Sequence, residues 1–333
     1  MKSFFKRKIT KIGGLIVLVL VAAFSYFYFS FHPAKQIVWG VNYSPAYARY
    51  LGADDKQLFS NILSDLKIKN IRLMVYWEDM EKTEGKFDFS EMDYYLTEAQ
   101  KANTKIILAV GHKQPRWPEC HNPKWFDSLS QTQQNAAILE MLKAVVSHAK
   151  SFSVIRLWQV ENEPLFNYGS DCPPTSEEFL KEEIDLVRSL DSRPILTTDS
   201  GEKGEWIKTA EYADVFGSTM YREVHNPKYG GYVKYPIPAF FYQIRAGILK
   251  VFTGKSLVLG VELQAEPWFI TDAHQTPIAE QLVHMNENIL KQNLDYAAKV
   301  GFPENYLWGV EWWNFMRQNG HSEFWDTIKQ LNK

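Results

Sequence analysis

The chain has only two cysteines in 333 residues, so a disulfide-dense scaffold is excluded and no paired C-x-x-C metal site can form. It also lacks an H-E-x-x-H, a G-x-S-x-G, a P-loop and a G-x-G-x-x-G, and its eight histidines are scattered. No cofactor and no metal is implied. There is no internal repeat and no low-complexity tract. Nor is there an excess of positive charge in the body of the chain. Setting aside the basic residues Lys2, Lys6, Arg7, Lys8 and Lys11, 32 of the 37 Lys+Arg remain against 39 Asp+Glu, a formal charge of about −7. That balance offers no basic face to nucleic acid.

What is present begins with an apolar run. Ile12 to Phe31 carries no charge over 20 residues and follows those five basic side chains. A helix of 20 apolar residues can cross the hydrocarbon of a bilayer, and basic residues before it predict a cytoplasmic N-terminus with the rest of the chain outside. A cleaved secretory signal is the competing reading; the length of the run and its aromatic end, SYFYFSFHPA, favour an uncleaved anchor. The segments are therefore a basic stretch (1–11), a membrane span (12–31), a linker (32–36) and one large domain (37–333). With 45% hydrophobic and 15% aromatic residues, including 11 Trp, that domain can bury a substantial core.

From residue 37 onward, short β-rich runs alternate with helical patterns. The runs are IVWGVNY (37–43), NIRLMVYW (70–77), KIILAVG (105–111), VIRLWQVEN (154–162), PILTTDS (194–200), DVFGSTMY (214–221), SLVLGVEL (256–263) and NYLWGVEWW (305–313). Between them, segments such as 56–68 and 132–151 place apolar residues at helical spacing, whereas the gap between the fifth and sixth runs leaves little room for a helix. Eight strand–helix units predict an α/β fold, a closed (β/α)8 barrel, with chemistry at the C-terminal ends of its strands.

Two glutamates lie at such ends, 99 residues apart: Glu163 closes the fourth run in VENEP, and Glu262 closes the seventh in VLGVEL. One carboxylic acid that protonates a leaving oxygen and one carboxylate that attacks a sugar carbon are what glycosidic bond cleavage needs. Asn162, beside Glu163, is placed to hold a sugar hydroxyl; the bland alternative is that N-E-P only caps the next helix. Glu161 is expected to point elsewhere, into the barrel layers or toward a base such as Arg72. Glu266, before Pro267 and Trp268, reads as a loop residue near the substrate. In the third loop, GHKQPRWPEC (111–120), His112, Lys113, Arg116 and Trp117 could bind and stack on a further sugar unit, or simply form a rigid cover for the rim. Cys120 and Cys172, in the loops after the third and fourth runs, either form one intrachain disulfide or stand as two free thiols.

These motifs resemble the clan of retaining β-glycosidases built on (β/α)8 barrels, which includes cellulase-like and β-galactosidase-like glycoside hydrolases. The resemblance implies an acid/base at Glu163 in the Asn162-Glu163 pair and a nucleophile at Glu262. It further implies an arginine beneath the nucleophile at Arg72, a tyrosine hydrogen-bonded to it at Tyr221, and a tryptophan floor at Trp313, or less well at Trp312. Trp117, His112 and Trp268 are expected to contact substrate, with Tyr43 and Trp77 as further cleft candidates. The function implied is a membrane-anchored glycosidase acting on a β-linked oligo- or polysaccharide, secreted if the anchor is cut. A transglycosylase of the same clan and a non-catalytic carbohydrate-binding barrel are the alternative readings.

Overall fold

The computed structural model describes residues 2–167 and 172–331. Eight parallel strands close on themselves: β1 (Val38–Tyr43), β2 (Asn70–Met74), β3 (Lys105–Val110), β4 (Ile155–Val160), β5 (Ile195–Asp199), β6 (Val215–Met220), β9 (Val258–Gln264) and β10 (Glu304–Trp308). The two other strands among the described residues, β7 (Glu223–Asn226) and β8 (Gly231–Lys234), form an antiparallel hairpin after β6. Around the ring the order is β1-β10-β9-β6-β5-β4-β3-β2, the expected (β/α)8 closure.

The strands read as continuous apolar runs because both of their faces are covered. Inside the barrel, Ile107, Leu157, Leu196, Val215, Leu259, Val261 and Tyr306 form one packed layer. The larger core lies between strands and surrounding helices, where residues such as Phe59, Ile62, Leu142, Ile184 and Leu290 are buried. Local signals set the helix starts. Asp54 and Ser176 cap the helices Asp55–Ser64 and Glu177–Leu190, and Ser130 with Gln133 forms a capping box before Gln131–Ala149. Between β5 and β6 there is only the five-residue helix Trp206–Ala210, as the short gap predicted.

The eighth run differs from its sequence reading. β10 ends at Trp308, and Gly309, at a φ of 143°, turns the chain into the helix Val310–Gln318, which carries Trp312 and Trp313. β2 likewise ends at Met74, and Trp77 begins a short helix. At the other end of the chain, the helix Lys2–Ser30 contains one stretch, Ile12–Ser30, long and apolar enough to cross a membrane. The following residues are tied to the barrel, with Phe31 packed edge-on against Phe302 and the Ala34 N–H bonded to the Gly301 carbonyl.

Candidate active site

Glu262 projects from β9, a strand whose seven residues are all buried. Its Oε1 accepts from Arg72 Nη1 at 2.8 Å and its Oε2 from the Tyr221 hydroxyl at 2.9 Å. Arg72, fully buried on β2, spends its other donors on Asn42 Oδ1 (2.9 Å), Gln159 Oε1 (2.6 Å) and Asn162 Oδ1 (2.8 Å). A buried guanidinium with four acceptors is a fixed cation, and it holds Glu262 in one orientation. Burial and the charge of Glu262 push the Tyr221 hydroxyl well above its ordinary range, so it remains a donor.

Three strands away around the ring, β4 ends in a sharp turn. Glu161 and Glu163 both take left-handed φ values, 57° and 44°. The turn is held by the Asn162 N–H on the Lys113 carbonyl (2.8 Å) and the Glu163 N–H on Thr198 Oγ1 (3.0 Å). Asn162 Oδ1 accepts from Thr198 Oγ1 (3.2 Å) as well as from Arg72, which links the two carboxyl sites. Burial, first, and then the negative charges of Glu262, Glu119 and Asp199 push the Glu163 carboxyl well above the usual carboxylate range, with Lys113 opposing them. Glu163 therefore keeps its proton where an ordinary glutamate would lose it.

Both glutamates line one cavity of about 800 Å³. Its walls include the aromatic residues Tyr47, Tyr76, Trp117, Trp268 and Trp308, a lining suited to the apolar faces of sugar rings. Trp117 is 65% exposed at the rim, and Trp268 packs edge-on against Tyr221 at 5.2 Å between centroids. Arg116, from the loop after β3, crosses the mouth. It lies 3.7 Å above the Tyr47 ring and 4.0 Å above the Trp308 ring, and pairs with Glu266 and with Glu311 (3.0 Å). Burial, more than the neighbouring Arg116 offsets, pushes the Glu311 carboxyl up to about 7.

Asn162, Glu163, Tyr221, Glu262, Trp117 and Trp268 thus share the cavity, and Arg72 lies directly beneath it. Other sequence expectations fall elsewhere. Trp313 and Trp312 are fully buried in the helix Val310–Gln318, their indole N–H groups bound to the Ala265 carbonyl (2.8 Å) and to Gln281 (2.6 Å). Of the tryptophans in the eighth run, it is Trp308, at the true end of β10, that reaches the cavity. His112 stands behind the wall, with its ring near Phe126 and its N–H on Glu161 (2.9 Å). Tyr43 and Trp77 are core residues. Glu161 does not approach Arg72; the left-handed turn swings it to the amides of His112 and Lys113 (2.6 Å), where Gly111 leaves room for its carboxylate. The Cys120–Cys172 disulfide is formed, with the Cα atoms 5.2 Å apart, and ties the loop after β3 to the loop after β4.

A family model, glycosyl hydrolase family 10, matches residues 50–179, which span β2 to β4 and include Arg72, Asn162 and Glu163. Among solved structures, the chain is similar to GH5_18 from Bifidobacterium longum subsp. longum (TM-score 0.61, 12% identity, 82% of this chain and 70% of that one). It is also similar to a psychrophilic glycoside hydrolase family 10 endo-β-1,4-xylanase (TM-score 0.52, 14% identity, 82% and 86%). A third likeness is to the exo-β-1,4-mannosidase Op5Man5 from Opitutaceae bacterium strain TAV5 (TM-score 0.56, 16% identity, 88% and 57%). No curated protein matches in sequence. Families 5 and 10 both belong to the clan of retaining (β/α)8 glycosidases, so the resemblance seen in the strand-end motifs is shared by a family model and by the fold. These findings support a retaining glycosidase.

Proposed function

We propose that this barrel cleaves β-glycosidic bonds by double displacement, with Glu163 as acid/base and Glu262 as nucleophile. In the first step the protonated Glu163 gives its proton to the glycosidic oxygen while Glu262 attacks the anomeric carbon, forming a glycosyl-enzyme. Consumption of the Glu262 charge removes the largest charge contribution that holds the proton on Glu163. Glu163, now a carboxylate, then takes a proton from the water that releases the sugar. The observation that carries this reading is the unequal treatment of two carboxyls in one cavity. Glu262 is clamped by a cation and a hydroxyl, whereas Glu163 is buried among negative charges.

The catalytic domain is proposed to act outside the cytoplasmic membrane. Support comes from the exposed apolar helix Ile12–Ser30 behind its basic flank, and from a disulfide, which persists in oxidising compartments. Sugar release from a panel of β-linked oligosaccharides and aryl β-glycosides tests the activity, with Glu163→Ala and Glu262→Ala as controls. Release that disappears in both variants supports the reading. Release that persists in Glu262→Ala rules it out.

A further inference from the structure

We infer that Lys113 and Glu119, from the loop after β3, are positioning residues for the acid/base: Lys113 fixes the turn that carries Glu163, and Glu119 places a second negative charge beside it. The inference rests on the assignment of Glu163 above. Lys113 is fully buried, which is unusual for a lysine, and its ammonium group meets three oxygens. These are the main-chain carbonyls of Glu163 (2.9 Å) and Phe166 (2.8 Å) and the Glu119 carboxylate (3.4 Å). Its main chain is engaged by the same turn, with the N–H on Glu161 Oε2 (2.6 Å) and the carbonyl accepting from Asn162 (2.8 Å). One residue therefore holds Glu161, Asn162, Glu163 and Phe166, and so fixes a left-handed conformation at Glu163 that a non-glycine residue does not favour.

Glu119 lines the cavity together with Glu163 and Glu262. It is kept there by its own carbonyl on the Gln114 N–H (2.7 Å) and by the adjacent disulfide at Cys120. The charged and titratable groups that act on Glu163 are Glu262 from β9, Asp199 from β5, Tyr221 from the end of β6, and Lys113 with Glu119 from the loop after β3. Burial and the Glu262 charge push the Glu119 carboxyl up while Lys113 opposes them, so loss of the Glu262 charge on forming the ester favours the ionised Glu119 as a remaining negative neighbour of Glu163. Glu119 opposes loss of the proton in both half-reactions, while Lys113 assists it.

The two side chains are separable by kinetics in the full-length protein. The probes are 2,4-dinitrophenyl β-glycosides, whose leaving group needs no proton, and β-linked disaccharides, whose leaving group does. Each is made with glucose, mannose, xylose and N-acetylglucosamine. Lys113→Met preserves the buried stem and removes the three donors. Its expected effect is a loss of roughly 10²-fold in kcat/KM on disaccharides, with the dinitrophenyl substrate changed only a few-fold. Glu119→Gln is expected to move the alkaline limb of kcat/KM to lower pH by roughly one unit, since a negative neighbour of the acid is removed.

Equal losses on both substrates in Lys113→Met, or no loss, overturn the positioning role of Lys113. An unmoved alkaline limb in Glu119→Gln overturns that of Glu119, and this profile decides the proposal alone if Lys113→Met does not fold. Glu163→Ala separates the two levels. If it loses disaccharide cleavage selectively while the Lys113 and Glu119 variants behave as wild type, only the positioning inference fails. If it shows no such selectivity, the acid/base assignment itself fails.

Discussion

Arg72 Nη1 stands 2.8 Å from Glu262 Oε1, and no part of the Arg72 side chain reaches solvent. The same guanidinium bonds Asn42, Gln159 and Asn162, so it joins β1, β2, β4 and β9 beneath the cavity. A buried cation costs desolvation, and here that cost is offset only while every partner is in place. Arg72→Met should therefore lower stability by about 3–5 kcal/mol, because it leaves a buried carboxylate without its counter-charge. Arg72→Lys keeps a charge but loses the fork that reaches four acceptors at once, so it should retain more stability and still lose most activity. Urea unfolding and kcat/KM measured on both variants check this; equal stability of Arg72→Met and wild type would count against it.

Glu163→Gln should lower kcat/KM on substrates with poor leaving groups by about 10²–10⁴-fold, the usual contribution of a general acid, and change it little on a dinitrophenyl glycoside, whose kcat falls instead because the second step loses its base. Glu262→Gln should abolish turnover on good and poor leaving groups alike, because the covalent step is lost for both. Steady-state rates on a dinitrophenyl glycoside and a disaccharide distinguish the two. Similar profiles for the two variants would contradict the division of roles.

The raised Glu163 carboxyl also has a stability consequence. Between the ordinary glutamate pKa of 4.5 and its higher folded value, the native state binds a proton that the unfolded state has released. Stability from this group is thus present below 4.5 and falls as pH rises through that window. Glu163→Gln cannot ionise and escapes the loss. Its Tm should exceed that of wild type at pH 7 to 8, and the gap should close near pH 4. A thermal melt at the two pH values tests the sign, and a variant less stable than wild type at pH 8 would refute it.

The parts of this site that depend on strand ends were legible in the sequence, because alternation of β-rich and helical runs locates eight strands and the barrel rule locates their ends. Asn162, Glu163 and Glu262 lie at the strand ends where that reasoning puts them, and Arg72 and Tyr221 lie against Glu262, as the family resemblance rather than the alternation implied. The eighth strand was misjudged because Trp312 and Trp313 have strand-like propensity, and the feature that ends β10 is the backbone angle at Gly309. The Arg116–Glu266–Glu311 cluster was not legible either. Its members come from three loops or helix starts, and no periodicity along the chain records that long side chains meet across a barrel mouth.

That misjudged end gives a direct comparison. Trp308→Ala removes a cavity wall and a platform for Arg116, and it should lower kcat/KM by roughly 10-fold or more with a modest change in Tm. Trp313→Ala should act in the opposite proportion, destabilising by about 3–5 kcal/mol as a large buried side chain is lost. Conservative Trp313→Phe should leave KM unchanged. A KM effect confined to Trp313 variants would place Trp313, not Trp308, against the bound sugar.

The Cys120–Cys172 bridge closes a segment with a sequence separation of 52 residues that contains β4 and the whole Lys113-held turn's far side. Closing such a loop stabilises by about 2–4 kcal/mol through the unfolded chain, although native contacts change the figure in either direction. Its position adds a local effect, because Cys120 follows Glu119 and pairs in a bridge with Lys113. Cys120→Ser with Cys172→Ser should therefore lower Tm and, at temperatures where the protein remains folded, cut disaccharide cleavage more than dinitrophenyl glycoside cleavage. The same selectivity should follow reduction of the wild-type protein with dithiothreitol. Loss of stability without any change in the ratio of the two activities would confine the bridge to a purely structural role.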